Sequence, residues 1–170
     1  MSDTLQKLYT KFRPLASCIA GVSFITLTLM QRHFGFALIL VMLFWLPWLF
    51  YSIYIMGRHP PQRTLRGAKI AIWLTGFAII IAGHIWMASV ARQYANQAVA
   101  SIEQYRQEKG HYPPDSATAG LSRQWLRKHL GTTAYGINEG KPYFVYASTY
   151  IVFDLESYDF SNGQWQHIND

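Results

Sequence analysis

The longest pattern in the chain covers positions 70–109: a run without Asp, Glu, Lys or Arg at 70–91 passes directly into a polar stretch with one apolar seam. At about 1.5 Å per residue the uncharged run is roughly 33 Å long, enough to cross the hydrocarbon core of a bilayer. Beyond it, Ala91, Ala95, Ala98, Ile102 and Tyr105 recur at steps of four, three, four and three, so they share one helix face. No Gly or Pro interrupts 92–109. Gly110 then offers a left-handed cap, and Pro113-Pro114 forbid continuation. The pattern predicts one rod over 70–109, half in lipid and half in water.

Two more apolar runs precede it. Positions 14–31 are uncharged and just long enough to span. Positions 34–57 are apolar on all sides and contain Pro47, which should kink the helix. Only Arg32-His33 separates the two, which predicts a tight helical hairpin over 1–69. The basic start and apolar run could be a signal peptide, but Leu29-Met30-Gln31-Arg32 is not a small-x-small cleavage site, so a permanent anchor is expected. Three crossings follow.

After the rod the pattern shortens. A polar loop at 115–120 leads to Leu121, Trp125, Leu126 and Leu130, the apolar positions of a short helix ending at Gly131. From Thr132 the period becomes two. Strands are predicted at 133–137, 142–147, 150–155 and 164–168, with Ile151, Phe153 and Leu155 on one face of the third. Turns fall at Asn138-Glu139-Gly140, Ser148-Thr149 and Asn162-Gly163. A small antiparallel meander with one apolar face needs cover, and the seam of the rod supplies it. The expected fold is α+β: three transmembrane helices, the third continuing into an amphipathic helix packed on the sheet formed by 110–170.

Composition agrees. The chain is 51% apolar and only 14% charged, against about 25% in soluble domains. Its pI near 9.5 would suit a nucleic-acid binder, but the charge is unevenly placed. From Arg92 onward seven Lys/Arg face eight acids, so the excess flanks the apolar runs, which is membrane topology and not a phosphate-binding surface. Three basic residues lie in 1–13 (Lys7, Lys11, Arg13), four in 58–69, and one in the turn at 32–33. The N-terminus and the 58–69 loop are therefore expected inside the cell and 92–170 outside it, which in a Gram-negative bacterium is the periplasm. Cys18 is the single cysteine, so no intrachain disulfide can form.

Candidate chemistry is sparse. His84 lies inside the third apolar run, where an ionisable group is a functional candidate by default. The runs contain no acid or base to relay a proton, so a neutral imidazole bonded to a neighbouring helix is the expected role. There is no nucleophile elbow, zinc-protease motif, phosphate loop or cysteine pair, and no cofactor or metal is expected. His111, His129 and His167 are scattered. Asp154 and Glu156 share a strand face and read as a solvated edge more readily than as a hydrolase pair. Arg123, Arg127, Lys128 and His129 form a small basic group on the short helix. Arg123, Arg127 and Lys128, with Tyr146 and Trp165, are the candidate partner-binding residues.

One stretch carries a family resemblance. Residues 98–106 followed by Gly110-His111-Tyr112-Pro113, with the tail 150–155, Tyr158-Asp159 and Gly163-Gln164-Trp165, resemble the helix-to-loop junction and closing strands of type IV pilins and type II secretion pseudopilins. The resemblance spans 70–168 and implies a pilin-like domain. Gly76-Phe77 mimics a leader cleavage site, but Ile81 stands where such proteins carry Glu, so processing and polymerisation are not expected. The resemblance implies a non-enzymatic inner-membrane protein that contacts membrane lipids and binds a pilus or secretion component. An immunity protein that neutralises a toxin is the alternative, and a membrane-surface enzyme ranks third. Pairing of two copies through the seam or the outer strand stays open.

Overall fold

The computed structural model describes residues 3–150 and 154–169. Helix α1 is Asp3–Leu29, α2 is Ala37–Arg58, a single 3-10 turn covers Pro60–Gln62, and α3 is Arg63–Lys109. The short α4 is Arg123–His129, and the strands are β1 Thr133–Asn138, β2 Lys141–Ala147, β3 Asp154–Asp159 and β4 Gln164–Asn169. The chain divides into two compact units, Met1–His84 and Ile85–Asp170, and the division falls inside α3.

In the first unit α1 runs in the same direction as the start of α3, and α2 runs against both. A Cβ on Gly76 would lie 2.6 Å from Val22 Cγ1, and one on Gly83 would lie 2.9 Å from Met30 Cε. These glycines let α1 approach α3 closely, as small residues do between membrane helices. His84 is buried, and its Nε2 donates to the carbonyl of Leu29, 2.8 Å away. That carbonyl belongs to the last turn of α1, where the helix has no internal donor left for it. Trp45 of α2 packs edge-on against Phe77, ring centroids 4.9 Å apart, and together with Leu29 and Ile80 they form the unit's core.

The helix boundaries differ from those expected. The run over 14–31 is part of a longer helix that takes in the basic N-terminus, with Pro14 inside it. Phe34 and Phe36 stay in the turn before α2, their rings 6.5 Å apart. The 58–69 segment is helical from Arg63, not from Ile70. Pro60 and Pro61 start the 3-10 turn, where their fixed φ is suited, and the arginines, leucine and alanine after them favour helix. Charge had marked the boundary in the sequence, but charge does not end a helix. Among the described residues two helices, not three, are long and apolar enough to cross a membrane by length and composition, α2 and the one ending at Lys109. The apolar part of α1, Arg13–Leu29, is shorter. Its length of roughly 26 Å falls below the hydrocarbon thickness of about 30 Å.

In the second unit the strands follow chain order, β1-β2-β3-β4, all antiparallel. The first hairpin closes over Glu139 (φ 51°) and Gly140 (φ 78°), the paired left-handed conformations of a type I′ turn. Gly110 caps α3 at φ 77°, as the sequence predicts, and its N–H bonds to Arg106 O at 2.8 Å. The seam is buried as expected: Ala91, Ala95, Ala98 and Ile102 are almost fully enclosed, with Val99 beside them. They pack in one cluster with Phe144, Tyr146 and Phe160 and with Leu121, Leu126 and Leu130, which flank or lie within α4. Tyr105 is only half-buried and stands edge-on to His111. Ser122 caps α4, its Oγ accepting from Trp125 N–H at 3.1 Å.

The third strand, expected over 150–155, is described over Asp154–Asp159: Tyr150 is not in it and it continues four residues past 155, while Ile151, Val152 and Phe153 lie outside the described residues. High β-propensity drew the expectation to the apolar run. The register instead pairs Leu155 with Ala147 and Ile168.

Candidate functional site

The polar groups of the second unit gather where α3 meets the last two strands. Register places Tyr146, Glu156 and His167 side by side across β2, β3 and β4, with Phe144, Tyr158 and Trp165 in the next row on that face. Arg92, on the turn after Ala91, reaches Glu156: its Nη2 donates to Oε2 at 2.6 Å. His167 Nδ1 lies 3.0 Å from the other carboxylate oxygen. The Arg92 guanidinium also sits over the Trp165 ring, 4.5 Å from its centroid. Trp165 Nε1 donates to Asn96 Oδ1 at 2.9 Å, one turn further along α3.

Glu156 is therefore not on a solvated edge. β3 is an inner strand, the side chain of Glu156 is 20% exposed, and both its oxygens are engaged. A cavity of about 110 Å³ adjoins it, lined by Ala88, Arg92, Tyr146, Ser148, Thr149 and Glu156. Asp154 shares the strand with Glu156 but pairs with Asn169, and the described contacts to Arg92 and His167 belong to Glu156 alone.

A second polar group lies at the end of α3. Arg106 donates to the Tyr112 hydroxyl at 2.9 Å, and that hydroxyl donates to Glu103 at 3.2 Å. Burial, and then the charge of Glu103, raises the Tyr112 pKa. Tyr135 donates to Pro113 O at 2.8 Å and so ties the loop after α3 to the sheet. Its pKa is pushed up to about 12, chiefly by burial and then by Tyr112, Glu103 and Asp115. Arg106 and Tyr112, with Lys141, Asp159, Phe160 and Ser161, line a cleft of about 490 Å³. The Asp159 carboxylate accepts from Ser161 N–H and Oγ, and these bonds, ahead of Lys141, hold its pKa below the ordinary carboxylate value.

The other expected residues are dispersed. Arg123, Arg127 and Lys128 are exposed on α4, with the latter two in its last turn, where cations suit the helix dipole. His129 leaves that group and packs against Tyr94 and Trp125, centroids 4.0 and 5.0 Å away. Tyr146 is core and Trp165 is half-buried, so neither ring lies open on the surface beside the arginines. His111, His129 and His167 sit in three separate environments. No family model, curated protein or solved structure matches the chain.

Sequence reasoning missed Arg92 and Asn96. Arg92 reads as the first charge after an apolar run, hence as a membrane boundary marker. The available signal was spacing: Arg92 and Asn96 each follow a seam alanine, four residues apart, and so lie along the edge of the face that buries Ala91 and Ala95.

Proposed function

We propose that this chain is a non-enzymatic inner-membrane protein whose outer domain, pilin-like in plan, binds a protein partner in type IV pilus or secretion assembly. The observation that carries the membrane part is where large apolar side chains meet solvent. Of the 22 exposed large hydrophobics among the described residues, 19 lie between Ile19 and Trp86. A soluble fold does not leave so continuous an apolar surface unpaired. The proposed topology has three crossings with a cytoplasmic N-terminus and a periplasmic 92–170. In its support, α1 packs along α3 through Val22, with Met30 just past its end also against α3, so a bilayer around α3 also meets the outer face of α1, where Phe24 and Leu27 are exposed. A crossing this short is met by local bilayer thinning or by snorkelling of flanking residues at modest cost.

Partner binding is drawn from the second unit. Most of its large apolar residues are enclosed in one cluster, and its basic group on α4 faces solvent. The test is a photo-crosslinking residue at Arg127 in the full chain, expressed in its own host. Recovery of a pilus or secretion component is expected. Recovery of a toxin would replace this reading with the immunity role, and crosslinks to lipid alone would remove the partner. A reporter fused after Asp170 checks the topology: activity in the periplasm is expected, and cytoplasmic activity would overturn it.

A further inference from the structure

We infer that the basic end of the first unit is a binding site for acidic phospholipid headgroups, an inference that rests on the membrane reading above. The geometry gathers the charges. Val22 meets Gly76, and Leu29 bonds to His84, so α1 and α3 begin at the same end. Trp45 meets Phe77 while Ser52 meets Arg66, so α2 ends there. Arg13, Arg58, Arg63, Arg66 and Lys69 therefore share one end of the bundle.

These cations are braced by neutral groups. Arg66 Nε donates to Gln62 Oε1 at 3.0 Å and Nη1 to the buried Ser52 Oγ at 3.4 Å, with the guanidinium 5.3 Å from the Tyr51 ring centroid. Arg63 Nε donates to Met56 O at 2.8 Å, and Arg58 lies 5.2 Å from the Tyr54 ring centroid. The single acid of Met1–His84 is Asp3, and every described ion pair lies in the other unit. Among the described residues, the positive charge is thus held in place but not neutralised. Each guanidinium has five donors, of which Arg66 spends two and Arg63 one in the bonds above, leaving others for phosphate oxygens, whose geometry the planar fork matches.

The ligand is an amphiphile and not a free anion because of what adjoins the cations. Phe50, Tyr51, Ile53 and Tyr54 are all more than half exposed on the same end of α2, an apolar surface for acyl chains beside the headgroup site. The occupant is an acidic glycerophospholipid of the leaflet that meets this end.

The experiment reconstitutes the full chain in lipid nanodiscs of phosphatidylcholine, with or without a minor share of phosphatidylglycerol. Native mass spectrometry then reads the lipid retained. Preferential retention of phosphatidylglycerol is expected, falling about fivefold for each charge removed in Arg66→Gln and in the exposed pair Arg58→Gln/Arg63→Gln. The exposed pair decides the question if Arg66→Gln does not fold. Equal retention of the two lipids, or full retention by the exposed-pair variant, overturns the inference. So does displacement of phosphatidylglycerol by millimolar inorganic phosphate, which would mark a plain anion site. Carbonate extraction of the wild-type chain from phosphatidylcholine vesicles is the control. Release there refutes the membrane reading itself, whereas retention with no lipid preference refutes only the headgroup site.

Discussion

The two units of this chain use apolar residues in opposite senses. In Met1–His84 the interhelical contacts are made by small side chains and a few aromatics such as Gly76, Gly83, Trp45 and Phe77, while Phe24, Phe44 and Phe50 point outward. In Ile85–Asp170 the order is largely reversed: Ile102, Leu130 and Phe144 are enclosed, and the exposed large hydrophobics are Ile85 and Trp86 at its start and Ile137, Tyr143 and Ile168 on the strands. Charge follows the same division, with eight Lys/Arg against one acid in the first unit and seven against eight in the second. On the membrane reading proposed above, the contrast teaches that burial is to be judged against a different solvent in each unit. In water an exposed Phe44 is a liability, whereas in lipid the hydrophobic effect no longer drives packing and close contact takes over.

The strongest way to test the contrast is to cut into the enclosed core. Phe144→Ala is expected to destabilise the second unit by about 3–5 kcal/mol, read by chemical denaturation, with membrane retention unchanged. Loss of retention as well would show that the units do not behave separately. Next is the outward surface. Phe44, 77% exposed, is replaced by Arg and compared with Gln124→Arg on α4. Insertion should be penalised by about 2.5–3.5 kcal/mol in the first and unaffected in the second, scored by carbonate extraction. Equal behaviour of the two variants would mean that Phe44 does not face lipid.

A smaller effect tests how the helices pack. Gly76→Ala would put a methyl 2.6 Å from Val22 Cγ1, so a loss of about 1–3 kcal/mol is expected, and Val22→Ala should restore most of it. A neutral Gly76→Ala in thermal unfolding would argue against close α1–α3 packing. The smallest effect concerns Tyr135. Its pKa rises on folding from 10.0 to about 12, so the folded state holds the proton more tightly. The resulting stability is complete below about pH 10 and is lost as pH rises through about 12. Tyr135→Phe should cost about 0.5–1.5 kcal/mol near neutrality and should flatten that alkaline decline. An unchanged alkaline slope would place its cause elsewhere.

Much of this was legible in the sequence because the signals were local. The seam on α3, the Gly110 cap and the Asn138–Gly140 turn depend on spacing and backbone sterics, and spacing survives folding. The segment at 58–69 was misjudged because charge and helix termination are independent properties. The continuation of β3 from 155 to Asp159 was missed because register is a pairwise quantity that no single strand encodes. The Arg92–Glu156–His167 group was invisible for the same reason. Arg92 and Glu156 are 64 residues apart, and only pairing of three strands against α3 brings them to 2.6 Å.

The order of the sheet has a kinetic consequence. Because β1, β2, β3 and β4 neighbour one another in the sequence in which they are synthesised, each hairpin joins strands close in the chain and can zip as the chain emerges. The costly closures are those that join strands to α3, across 64 residues at Arg92–Glu156 and 69 at Asn96–Trp165. The sheet should therefore assemble early and wait for the helix, and docking of Trp165 against Asn96 should be the late, rate-setting event of folding.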